Sequence, residues 1–123
     1  MKPLPIAIAA ALAGCASTVS YVPANHCDGA IPAGMARIVA GRPGSAGGAI
    51  AISVHDDGQP MGRLGIGGRL CWWRLAGTAY VTAYREPAEL RMAHDIDIKV
   101  AAGETAEIRI TTGSPWELVR VGR

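Results

Sequence analysis

"MAHDIDIKVAAGETAEIRIT", residues 92–111, sets the fold class. In it Ile96, Ile98 and Val100 recur at every second position with Asp95, Asp97 and Lys99 between them. Ile108 and Ile110 do the same against Glu107, Arg109 and Thr111. Successive side chains of an extended chain point to opposite sides, so a period of two marks a strand with one face buried. "AAGETAE" between the two runs is a turn by composition.

The same period extends outward from this stretch. In "AIAISVH", residues 49–55, Ile50, Ile52 and Val54 share one face. "DDGQPMG" follows as a turn around Asp57 and Gly58, a dipeptide that tolerates positive φ, and "RLGI" reads as a short return strand. "RLCWWRL", residues 69–75, is the next strand. After a turn at Ala76 and Gly77, Tyr80, Thr82 and Tyr84 oppose Ala79, Val81 and Ala83. "ARIVAGRP", residues 36–43, opens the series with Ile38 and Val39, the Gly-rich "GRPGSAGGA" is a loop, and "WELVRV", residues 116–121, closes it. "EPAELRMAH" offers a helical alternative, but it is short and Pro-interrupted. The expected fold is all-β, a small antiparallel β-sandwich of seven or eight short strands over residues 36–123.

The chain begins with Met1 and Lys2, then "PLPIAIAAALAG", an apolar run that stops at Cys15. A positive start, an apolar stretch of about 7–15 residues and a small-residue cleavage site are the parts of a secretory signal, too short to span a bilayer. "LAGC", residues 12–15, resembles the bacterial lipobox, in which Leu and two small residues precede a Cys that is acylated and becomes the mature N-terminus. Residues 1–14 are then a lipoprotein signal peptide. Acyl chains on Cys15 would anchor the protein, since each buried CH₂ contributes about 0.8 kcal/mol and two or more chains make the attachment stable. Ala16 and Ser17 include no Asp, which by likeness to Gram-negative lipoprotein sorting favours the outer membrane, facing the periplasm. "ASTVSYVPANHCDGAIPAG" has two Pro and no helical period, so residues 15–35 read as a tether and extended arm.

Twelve Lys and Arg stand against ten Asp and Glu, and they are scattered, which leaves no electrostatic footprint for nucleic acid. Of three Cys, acylation of Cys15 leaves Cys27 and Cys71, an even pair in an oxidising compartment. A disulfide there would close a loop of about 45 residues and add roughly 4 kcal/mol in the chain-entropy model. The alternative is two unpaired thiols, one buried in a strand as a small hydrophobe.

Residues 36–121, through the early Arg-Pro, the Asp-Gly hairpin, the Gly-introduced aromatic strand and the late "VAAGET" turn, resemble a family of small bacterial lipoprotein domains without an established activity, similar to PEGA-like surface modules. That resemblance implies a β-sandwich and an envelope location and no particular chemistry. This chain has Ala76 where the family tends to place Pro, and its Cys27 and Cys71 are its own, so the resemblance implies no pairing between them.

Each His is followed closely by Asp, in "HCD" at 26–28, "HDD" at 55–57 and "HDID" at 94–97. Imidazole and carboxylate suit zinc or a similar divalent metal. No two His have the spacing of a metal motif, however, and Asp is expected in turns for backbone reasons. The Gly-rich loop lacks the Gly-Lys-Ser/Thr ending of a phosphate loop, and "PGSAG" has Pro43 where a nucleophile elbow needs its first Gly. No base is evident beside Ser45, so no catalytic residues are expected.

Trp72 and Trp73, as strand neighbours, cannot both enter one core. With Cys71 and Trp73 inward, Trp72 stands on the outer face beside Tyr80 or Tyr84, and these three form the candidate binding surface, suited to stacking on sugar rings or packing on a protein. The alternative is that Trp72 covers a cross-strand neighbour or packs under the arm. The functional expectation is a lipid-anchored, non-catalytic module that contacts an envelope protein or glycan, without a cofactor. Two others stand beside it: a periplasmic metal-binding protein using His26, His55 and His94, and an inhibitor of a cell-wall hydrolase such as lysozyme, the latter on analogy of size and location.

Overall fold

A computed structural model describes residues 20–23, 25–44, 51–85, 94–112 and 116–122. Among the described residues nine strands form: β1 (Tyr21–Val22), β2 (Met35–Gly41), β3 (Ile52–Asp56), β4 (Gln59–Leu64), β5 (Arg69–Leu75), β6 (Gly77–Arg85), β7 (His94–Val100), β8 (Thr105–Thr112) and β9 (Trp116–Val121). They make a five-stranded sheet in the order β1-β5-β2-β8-β9 and a four-stranded sheet in the order β4-β3-β6-β7. One core fills the space between them, with Ile38, Trp72 and Ile108 from the first sheet meeting Ile52, Val54, Val81 and Ile98 from the second. The expected all-β sandwich is the observed one. Ile50, Cys15, Ser45 and most of "EPAELRMAH" lie outside the described residues.

Alternation delivers this arrangement locally. Ile98 and Val100 are buried and Ile96 packs against the core, while Asp95, Asp97 and Lys99 are exposed. In β6, Ala79, Val81 and Ala83 are fully buried, opposite the row of Tyr80, Thr82 and Tyr84. The hairpin between β3 and β4 turns on Asp57 (φ 49°) and Gly58 (φ 84°), two successive positive values that match the strand twist.

β4 starts at Gln59, directly after that turn, so "QPMG" is strand rather than loop. Pro60 lacks an N–H to donate, and it is tolerated because β4 is the edge of its sheet. The register slips between Val54 and His55, which pair with Gly62 and Pro60 and leave Met61 as the extra residue of a bulge. The bulge lets Met61 enter the core although Leu64, three positions on, does so too. Gly62 takes φ 151°, and a Cβ there would lie 3.0 Å from the Leu70 side chain, so both backbone and space call for glycine.

In the five-stranded sheet β2 sits between β5, antiparallel, and β8, parallel. The parallel pair departs from a wholly antiparallel sandwich, because side-chain alternation fixes which face is buried and not which strand lies alongside. The ninth strand, β1, comes from the arm. It pairs with the far edge of β5, Tyr21 with Arg74 and Val22 with Trp73. The Leu75 N–H donates to the Ser20 carbonyl, and the His26 N–H to the Cys71 carbonyl. Asn25 Oδ1 accepts from the Cys71 N–H, a side chain standing in for a strand carbonyl. Cys27 and Cys71 are disulfide-bonded. The arm thus covers an edge that would otherwise present unpaired backbone groups.

Candidate functional site

The sequence-based orientation of β5 is inverted. Leu70, Trp72 and Arg74 face the core, while Cys71 and Trp73 face outward beneath the arm, so Trp72 is fully buried and does not belong to an exposed surface. The reason is the disulfide, which reaches the arm across the outer face and so makes Cys71 inaccessible without placing it in the core.

Trp72 instead joins a buried polar cluster. Parity along β3 puts Asp56 on the side of Ile52 and Val54, and its Oδ2 accepts from Trp72 Nε1 at 2.8 Å and from Arg74 Nε at 2.8 Å. The Arg74 guanidinium also donates to Asp57 Oδ2 at 3.1 Å and to the carbonyls of Leu75 and Thr78. Tyr21 lies beneath it, 5.7 Å from ring centre to guanidinium carbon, and donates its hydroxyl to Asp57 Oδ2. Asp57 Oδ1 accepts from the Tyr80 N–H, and the Asp57 N–H donates to the Tyr80 carbonyl. Two sheets, the arm and the hairpin turn are thereby joined through one arginine. Burial lifts the Asp56 carboxyl above the usual aspartate range, against the opposing effects of Trp72 and Arg74. Desolvation, with help from Asp57, also raises the Tyr21 phenol.

On the outer side of β5, His26 stacks on Trp73 with ring centres 3.8 Å apart and planes 12° apart. The second indole therefore packs under the arm beside the disulfide.

Tyr80 and Tyr84 do share an exposed surface, the outer face of the four-stranded sheet. Tyr80 is 44% exposed, and Tyr84 is half-buried against His55, edge to face at 4.8 Å. Pairing places Tyr80 opposite Asp97, Thr82 between Asp95 and His55, and Tyr84 opposite Ser53. The Tyr80 hydroxyl donates to Asp95 Oδ2 at 2.8 Å, a bond that fixes the ring and raises the phenol above its ordinary range. Burial lowers the His55 imidazole below its ordinary range, favouring the neutral ring. The face is a rigid aromatic stripe bordered by hydroxyls and carboxylates, able to stack and to accept or donate hydrogen bonds.

The three His are not brought together. His55 and Asp56, neighbours in a strand, face opposite sides, as do His94 and Asp95. His26 lies on the other sheet against Trp73. Among the described residues no group of three His, Cys, Asp or Glu could hold a metal ion. The Asp56–Arg74 cluster escapes a reading of "HDD" as turn, although Asp56 has the parity of Ile52 and Val54 and Arg74 that of Leu70. Compared with protein-family models, curated proteins and solved structures, the chain matches none.

Proposed function

We propose that this chain is a lipid-anchored, non-catalytic module of the bacterial cell envelope, held by acylated Cys15 to the outer membrane on its periplasmic side, and that it holds a glycan on the outer face of the four-stranded sheet. The likeness of "LAGC" to a lipobox, and of residues 36–121 to small lipoprotein domains, supports the address. The Cys27–Cys71 bond fits an oxidising compartment.

The observation that carries the contact is the exposed, hydroxyl-anchored ring of Tyr80 in a row with Thr82 and Tyr84, flanked by Asp95, Asp97 and Ser53. A ring already held in place loses little freedom when a sugar stacks on it, and the bordering carboxylates accept from sugar hydroxyls.

Sedimentation of the purified domain with insoluble cell-wall glycan tests the reading. Wild type should co-sediment, and Tyr80→Ala should weaken binding by about tenfold, the loss of one contact of roughly 1.4 kcal/mol. Absence of wild-type binding, together with cross-links from position 80 to one envelope protein, would replace the glycan by a protein partner. Equal binding by wild type and Tyr80→Ala would remove this face from the proposal.

A further inference from the structure

The opposite face of the molecule carries a second arrangement, independent of the anchor and of the Tyr80 face. At the end of β2, Gly41 pairs with Arg69 of β5 on one side and with Arg109 of β8 on the other. Cross-strand partners point to the same side of a sheet, so both arginines rise from the outer face about 10 Å apart, two strand spacings, with no side chain between them. Both are exposed. Among the described residues, neither is joined to a carboxylate by an ion pair.

Gly41 itself has no structural reason to be glycine. Its φ is not positive, and a Cβ built on it would meet nothing within 4 Å. A strand glycine has no side chain to pack and is a common device where a ligand approaches the backbone closely, and at Gly41, the last residue of β2, it leaves that approach open. A cleft of about 250 Å³ opens there, lined by Gly41, Gly68, Arg69, Glu107, Arg109 and Val121. Glu107 stands one row along from Arg109 on the same face, opposite Val39 and Val121.

We propose that this cleft binds a small ligand by a carboxylate or phosphate oxyanion held between Arg69 and Arg109 over Gly41, with an adjoining ammonium or hydroxyl donor received by Glu107. Planar guanidinium forks match both oxyanions in a way that a point charge does not. The missing side chain at 41 lets the ligand sit down on the backbone between them. The carboxylate of Glu107 disfavours a bare multivalent anion and favours a ligand whose negative group is followed by a donor.

The test is titration of the folded domain with acetate, inorganic phosphate and glycylglycine, read from the side-chain Nε–H resonances of the arginines. Glycylglycine, a zwitterion, should bind with a dissociation constant of about 1 mM and tighter than acetate. Arg69→Gln and Arg109→Gln should each weaken it about tenfold. Gly41→Val, whose Cβ would meet nothing within 4 Å, should do the same while leaving the thermal midpoint within a few degrees. Glu107→Gln should reduce glycylglycine to the level of acetate and improve phosphate. Equal shifts in wild type and in the arginine and Gly41 variants, or no saturable shift with any probe, would overturn the site. Tightest binding by phosphate in wild type would overturn the role of Glu107. Binding by vesicles of anionic lipid that free phosphate does not compete would assign the oxyanion to a headgroup, and competition by glycylglycine would assign it to a soluble ligand.

Discussion

Replacing Asp56 by Ala is expected to destabilise the domain by about 3–5 kcal/mol, the cost of leaving one member of a buried ion pair without its partner. The Arg74 side chain is 7% exposed and that of Asp56 is fully buried, so water cannot take over the interaction. Trp72 Nε1 would also lose its acceptor inside the core, and an unpaired buried donor adds to the loss. Urea unfolding should show a lower midpoint with an unchanged slope. A loss under about 1 kcal/mol would mean that Asp57 alone holds Arg74. The pH dependence has a definite sign. The Asp56 carboxyl is raised in the fold by burial, so the folded state keeps its proton to higher pH than the unfolded chain does. Its contribution to stability therefore falls as pH rises from the ordinary aspartate range through the raised one, and Asp56→Asn should lack that fall.

Removing the disulfide with Cys27→Ala and Cys71→Ala together is expected to cost about 4 kcal/mol, since the bond closes a loop with a sequence separation of 44. The loss should appear first in the arm. The Leu75 amide, bonded to Ser20, should exchange with solvent faster than amides between β2 and β8, because the arm is held by few backbone bonds once the covalent link is gone. Unchanged exchange at Leu75 would show that the Tyr21–Asp57–Arg74 contacts hold β1 without the bond.

Much of the sandwich was legible in the residues because alternation is a local property. Ile98, Val100, Ile108 and Ile110 had no other way to leave water, and the Asp57–Gly58 turn declares its own conformation. Neighbour relations were not legible in the same way. Nothing in "ARIVAG" says that β8 runs parallel to it, and nothing in "YV" says that two arm residues extend the sheet beyond β5. The candidate surface was half legible. Tyr80 and Tyr84 lie outward as their spacing implies, whereas Trp72 lies inward because Cys71 is held to the arm by its disulfide on the outer face of β5. A half-cystine can be buried on either side of a strand, and Leu70, of equal parity with Trp72, is the apolar neighbour that marks that side as the interior, whereas Arg74 of the same parity points the other way until its pairing with Asp56 is known. The Arg69–Gly41–Arg109 row depends on pairing across three strands, which no single stretch contains.

If, as we propose, acylation at Cys15 makes this sandwich an envelope module, mass spectrometry of the N-terminal peptide of the native protein will reveal the modification. The expected chain starts at Cys15 and carries a diacylglyceryl group on sulfur, with further acylation on its amine. A chain that retains residues 1–14 and a free Cys15 thiol, with Cys27 and Cys71 reduced, would contradict it.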